Sequence, residues 1–151
     1  MEIGLDDPRR ADVLALLHEH LTEMRATSPP ESVHALDAGA LAAAGVSFWT
    51  AREHGQLVGC GALRELSPTH GEIKSMRTAT AARGRGVAAA LLAHVVAECR
   101  RRGYARVSLE TGSQDFFAPA RRLYARHGFV ECGPFGDYLP DPNSVFMTLT
   151  G

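Results

Sequence analysis

Apolar positions along the chain change period several times, and each change marks an element. "MEIGL" alternates weakly and predicts an edge strand. "DPRRADVLALLHEHLTEM" predicts a helix: Asp6, Asp7 and Pro8 are good N-terminal signals, and Val13, Leu14, Leu17 and Leu21 form an apolar stripe. "RATSPPES" is a turn-rich break, and "VHALDAGALAAAG" predicts a short second helix ending at Gly45. "VSFWTAREH" and "QLVGCGALREL" predict a hairpin turning near His54-Gly55. After "SPTHG" comes another strand, "EIKSMRTA".

From about Arg85 to Arg102 the period lengthens to that of a helix. Val87, Leu91, Val95 and Cys99 recur at i+4, and Leu92 and Val96 widen the stripe. "RRRG" closes it, since cations suit the negative helix end and Gly103 suits a left-handed cap. "YARVSLET" alternates again, with Ala105, Val107 and Leu109 opposite Arg106, Ser108 and Glu110. A short helix follows in "SQDFFAPARRLYARHGF", then closing strands in "FVECGPF" and "SVFMTLT" around "DYLPDPNS". The order β-α-α-β-β-β-α-β-α-β-β predicts an α/β (α+β) fold with a mixed, largely antiparallel sheet. Its one strand-helix-strand unit should be a parallel pair with a right-handed crossover.

Composition narrows the classes. At 151 residues the chain suits one domain, residues 1–151, with room for a core. A formal net charge of -1 argues against a nucleic-acid partner, which would favour a basic excess. "MEIGLDDPRR" lacks the basic and apolar regions of a signal peptide, and the run from Val87 to Cys99, broken by His94 and Glu98, is too short to span a bilayer. A cytoplasmic protein without membrane partners is expected. Cys60, Cys99 and Cys132 are odd in number and widely spaced, which suits buried thiols rather than disulfides or a zinc site. His18 and His20 diverge around their helix, and the seven histidines show no ligand spacing, so no metal is expected.

The chemistry concentrates in "RTATAARGRGVAAALL". Glycines at a helix mouth leave N–H groups free for a phosphate, and the helix dipole favours an anion there. Gly84-x-Gly86-x-x-Ala89 fits a dinucleotide fingerprint, with Glu110 near where a ribose-binding acid would sit. Arg83-x-x-Gly86-x-Ala88 fits an acyl-coenzyme A loop. Against the first, "TATAA" separates strand from glycines, the strand carries Glu72, Lys74 and Arg77, and only about 40 residues follow Glu110. A P-loop is excluded because no Gly-Lys-Ser/Thr follows.

"SMRTATAARGRGVAAALL" resembles motif A of the GNAT superfamily of N-acetyltransferases, and "ARRLYARHGF" resembles its second signature, Ala-x-x-Leu-Tyr followed by Gly-Phe. The element order is similar to that family's along the whole chain. "HGEIKSMRT", "SLETGS" and "DPNSVFMT" resemble the bacterial YsnE-like subgroup. The resemblance implies a sheet splayed between two parallel strands and flanked by about four helices. It also implies an acetyl-CoA-dependent N-acetyltransferase acting on a small-molecule amine by direct transfer in a ternary complex. A non-catalytic CoA-binding module and an enzyme acting on a peptide or protein amine are the alternatives, and a homodimer is compatible with either.

Matched residue by residue, the resemblance places the thioester carbonyl at the backbone N–H of Met76, pantetheine beside Arg77 and Thr78, and the pyrophosphate on Arg83, Gly84, Arg85, Gly86, Val87 and Ala88. Tyr124 matches the tyrosine that protonates the departing thiolate, a role suited by comparable phenol and thiol pKa values. Glu72 shares Met76's strand. Strict alternation would put Glu72, Lys74, Met76 and Thr78 on one face, making Glu72 a candidate base and Glu110 a second. His20, Ser32, His34, Glu110 and Tyr138 are the candidates to line the acceptor site. One departure is plain: where the family often has an asparagine that bonds pantetheine, this chain has Phe117, so that either Ser113, Gln114 or Asp115 substitutes or the contact is absent.

Overall fold

In a computed structural model the chain is described at residues 1–29 and 38–151. Seven strands form one sheet: β1 (Glu2–Leu5), β2 (Val46–Glu53), β3 (Gln56–Ser67), β4 (His70–Thr78), β5 (Arg106–Gly112), β6 (Val130–Cys132) and β7 (Ser144–Thr150), in the spatial order β1-β2-β3-β4-β5-β7-β6. The helices are α1 (Ala11–Thr27), α2 (Ala38–Leu41), α3 (Val87–Arg101) and α4 (Ala118–Arg126), the last entered through a 3-10 turn at Asp115–Phe117. All neighbouring strands pair antiparallel except β4 and β5, the pair joined through α3. None of the described helices is long and apolar enough to cross a membrane.

Two cores lie on opposite faces of the sheet. On one, α3 contributes Val87, Leu91, Leu92, Val95, Val96 and Cys99 and α4 contributes Tyr124, packed on Trp49, Leu63, Ile73, Val107 and Leu109. On the other, Val13 and Leu16 of α1 and Leu41 of α2 pack on Phe48, Cys60 and Ala62. The stripe predicted for α1 is shifted: Val13 and Leu16 are buried against the sheet with Leu17 beside them, while Leu14, about 100° round the helix from Val13, is exposed; the helix begins at Ala11 rather than at Pro8. The described part of the second predicted helix is only Ala38–Leu41. The α3 stripe is buried as patterned, and Gly103 takes the left-handed conformation after it (φ +82°). His54 and Gly55 both have positive φ and turn the β2–β3 hairpin.

Two local features open the sheet. The β4–β5 ladder runs from His70↔Arg106 to Ile73↔Leu109 and stops, although both strands continue. Ser75 sits at φ +56°, and the β3–β4 register slips between Cys60 and Ala62, the signature of a bulge. Past the bulge the alternation inverts. Ile73 and Met76 both pack toward α3, while Arg77 reaches α1. Gly61 makes room, since a Cβ there would lie 2.5 Å from the Met76 sulfur. The expected shared face of Glu72, Lys74, Met76 and Thr78 is thereby corrected: Glu72 and Lys74 stay on the α1 side and Met76 crosses to the α3 side.

Candidate active site

The split between β4 and β5 joins two concavities. On the α3 side a groove of about 480 Å³ runs along Met76, Arg77 and Thr78, past Arg83, Gly84 and Gly86–Ala89, and along α4 from Phe117 to Arg126. Gly86 caps α3 in the left-handed conformation (φ +79°), no side chain caps that helix end, and Gly84 is at φ +80° with open space where a Cβ would stand. N–H groups at the start of α3 thus face a wide, side-chain-free mouth, the geometry that holds a phosphate. From Lys74 onward β4 has no pairing with β5, leaving its backbone edge available to an extended ligand. Of the expected donor-side residues, Met76, Arg77, Thr78, Arg83, Gly84, Gly86, Val87, Ala88 and Tyr124 come together along this groove. Arg85 does not line it and pairs with Glu53 at 3.2 Å.

Two carboxylates of α1 brace this region and had no signal beyond helix surface polarity. Glu23 receives both terminal nitrogens of Arg77 at 2.6 Å and Arg83 at 3.2 Å, and Glu19 receives Arg77 at 2.8 Å. Arg77 is buried, so its side chain ties the end of β4 to α1, while Arg83 remains half exposed at the groove.

A smaller cavity, about 100 Å³, opens within the split. Lys74, Ser75 and Met76 of β4 line it opposite Leu109, Glu110, Thr111 and Gly112 of β5, with His20, Tyr124 and Tyr138 closing it. Met76, His20 and Tyr124 also line the larger groove, so the two spaces meet at these side chains. Burial pushes the Glu110 carboxyl up to about 7; the Ser144 hydroxyl and the Lys74 charge oppose that, and Glu72 and Asp141 add to it. Burial, with the Glu110 charge second, pushes the Tyr124 phenol up to about 12. That corrects the expected match between phenol and thiol: Tyr124 holds its proton more tightly than a free tyrosine does. Burial drives His20 down to about 4, with Arg77 pulling the same way, so its ring is neutral at pH 7.

Glu72 lies elsewhere. It is 2% exposed and does not line the cavity. Its Oε2 accepts the Tyr138 hydroxyl at 2.6 Å and the Lys74 ammonium at 3.3 Å, and Lys74 also donates to the Tyr138 oxygen at 2.8 Å. Tyr138 comes from the loop before β7 and stacks with Phe135 and Phe146. Phe117 fills the space over Gly112, where a Cβ would come within 2.1 Å of its ring. Two of the proposed substitutes for the missing asparagine are committed elsewhere: the Ser113 hydroxyl donates to the Pro142 carbonyl and the Gln114 amide to Asn143. Ser32 and His34 fall outside the described residues.

A model of the acetyltransferase (GNAT) family matches residues 13–129. The uncharacterized N-acetyltransferase YsnE of Bacillus subtilis (strain 168) is 52% identical, covering 98% of each chain. The uncharacterized N-acetyltransferase YedL of Escherichia coli (strain K12) is 47% identical over 98% of this chain and 93% of its own. A crystal structure of a GNAT family acetyltransferase from Elizabethkingia anophelis with acetyl-CoA bound superposes with a TM-score of 0.72 over 99% of this chain and 97% of its own, at 15% identity, a likeness of fold.

Proposed function

The chain belongs to the acetyltransferase (GNAT) family, and from that premise we propose that it moves an acetyl group from acetyl-CoA directly to the amine of a small molecule while both are bound. Membership and the two N-acetyltransferase relatives make it an N-acetyltransferase. The observation that carries the finer reading is the split itself. A groove suited to a phosphate-bearing chain and a small cavity within the split, lined by Lys74 and Glu110, meet at Met76 and Tyr124.

The donor side fits acetyl-CoA. Gly84, Gly86 and the uncapped start of α3 present backbone donors to a pyrophosphate, with Arg83 able to exchange Glu23 for it. The unpaired edge of β4 at Met76 to Thr78 suits the amides of pantetheine, and a β4 N–H aimed at the thioester oxygen would stabilise the charge that develops there. The thioester supplies the activated acetyl carbon.

Acceptor chemistry falls to Glu110 rather than Glu72. Glu110 lines the cavity and titrates near neutrality, the range in which a base is both available and strong enough to take a proton from an ammonium. Glu72 is enclosed by Tyr138 and Lys74. The nitrogen, having given one proton to Glu110, attacks the thioester carbon; as the C–S bond then breaks, the sulfur takes the Tyr124 proton and the new amide nitrogen gives up its second proton, which restores Tyr124. Protonation of Glu110 removes the charge that, after burial, holds the Tyr124 proton most tightly. Tyr124 is then a better donor to the departing sulfur at the moment it is needed. Adjoining but separate spaces for the two substrates support a ternary complex, because neither must leave for the other to enter. The cavity volume favours a small amine over a folded protein's surface.

Acetyl-CoA with a broad amine panel, read by thiol release and product mass, tests this function. Acetylated product and two intersecting-line substrate dependences are expected. Binding of acetyl-CoA without any product, or transfer to protein amines alone, would overturn it.

A further inference from the structure

The wall of the acceptor cavity opposite Glu110 has a use that acetyl transfer alone does not require. Ile73 and Leu109 are the last paired residues of β4 and β5, so Lys74 and Glu110 are the next residue on each strand. Ile73 and Leu109 turn toward the α3 core, so their neighbours face the other way, and both Lys74 and Glu110 line the cavity at the apex of the split.

Lys74 is the one lysine of the chain, and its side chain is 7% exposed. An ammonium has three N–H donors. One goes to the Tyr138 oxygen and one to Glu72, leaving a third beside the cavity. Ser75 lines the same wall, and its Oγ is buried without a hydrogen-bond partner among the described residues. A buried hydroxyl left unpaired is costly, and a ligand that accepts its hydrogen bond removes that cost. Glu72 and Tyr138 hold the Lys74 ammonium in place while Glu72 offsets its charge, so the wall acts through directed donors rather than net potential. His20, neutral at pH 7, adds no competing charge.

We propose that the acceptor is an amino carboxylate of the amino-acid type: its ammonium faces Glu110, and its carboxylate accepts hydrogen bonds from Lys74 Nζ and Ser75 Oγ across the same cavity. This rests on the proposed acetyltransferase reading and names the substrate class of that site. The two donors stand on one side of the split and the base on the other, so the two ends of such a molecule are sorted by the strands that bracket it. Among the described residues that line the cavity, Glu110 is the only carboxylate, which disfavours polyamines.

The test uses matched amines that differ only at the carboxylate: phenylalanine, phenylalaninamide and phenethylamine, and methionine with methioninamide. The acid should be acetylated with kcat/KM about 10- to 100-fold above its amide, the worth of hydrogen bonds to a charged group. Lys74→Met and the milder Ser75→Ala should each lower that acid-to-amide ratio, a quantity that partial misfolding leaves unmoved because both substrates meet the same folded fraction. Equal turnover of acid and amide by the unaltered enzyme overturns the proposal, as does a ratio unchanged in both variants. If amines are acetylated without regard to the carboxylate, this inference alone fails. If acetyl-CoA binds and no amine of either kind is acetylated, the proposed function fails and takes the inference with it.

Discussion

The two halves of the site are built on different principles. The donor groove is made largely of backbone: two glycines with positive φ, the uncapped end of α3 and the free edge of β4. The acceptor cavity is made of side chains from separate elements, with Lys74 on β4, Glu110 on β5, Tyr138 in the loop before β7 and His20 on α1. Backbone recognition suits a constant ligand, because amide donors cannot be exchanged by substitution and only demand that nothing obstruct them. Side-chain recognition can change one residue at a time while the sheet stays put. The contrast teaches that this scaffold separates what must be kept, donor binding, from what sets the identity of the acceptor.

Substitutions on either side should therefore fail in different ways. The largest effect is expected from Glu110→Gln, which should lower kcat by about 10²- to 10⁴-fold. The same change should raise stability at pH 8. An unfolded glutamate titrates near 4.5 and the folded Glu110 near 7, so the native state binds more protons between those values and loses stability as pH rises through them. Removing the carboxylate recovers roughly 1–3 kcal/mol above pH 7, readable as a higher Tm in buffers on either side of neutrality. A variant both inactive and less stable at pH 8 would break the assignment.

Next in size is pH itself. With Glu110 as base, kcat/KM should rise about tenfold per unit below about 7 and level off above it, and Glu110→Gln should abolish the step. Tyr124→Phe should cost about 10- to 100-fold in kcat, with a larger deficit for thioesters of poorer leaving thiols. On the donor side, Gly86→Val should raise the KM for acetyl-CoA about tenfold, since a β-branched residue at φ +79° is strained by about 1–2 kcal/mol and its side chain enters the phosphate mouth; the carboxylate preference among acceptors should not move. Smallest in catalysis is Glu72→Gln, expected within about tenfold of the unaltered kcat. Its cost falls on folding, about 3 kcal/mol by urea titration, because it leaves the buried Lys74 ammonium without its counter-charge. If Glu72→Gln proved more damaging to kcat than Glu110→Gln, the assignment of the base would reverse.

Much of this was legible in the chain. The α3 stripe, the parallel β4–β5 pair and the glycine mouth are local patterns, readable from residues adjacent in sequence. The start of α1 was less so, because Asp6 and Pro8 read as helix signals while Asp6 is instead bonded to Thr50 and Arg52 of β2. The bulge at Ser75 left no mark, since a serine carries no preference strong enough to announce a positive φ. Without it, alternation put Glu72 on the face of Met76, whereas its carboxylate is enclosed by Tyr138 and Lys74 on the other. Lys74 gave one signal, being the single lysine in a chain of arginines, but nothing local says that it is buried.

Sequence alone determined the order of elements, the donor loop and the family, because period, capping and glycine placement act within a few residues. Which carboxylate lines the cavity, and with what proton affinity, was decided only by tertiary structure. Burial depends on what packs over a residue from elsewhere in the chain. Here a one-residue bulge and the end of one ladder put Glu110 in the opening and Glu72 under Tyr138.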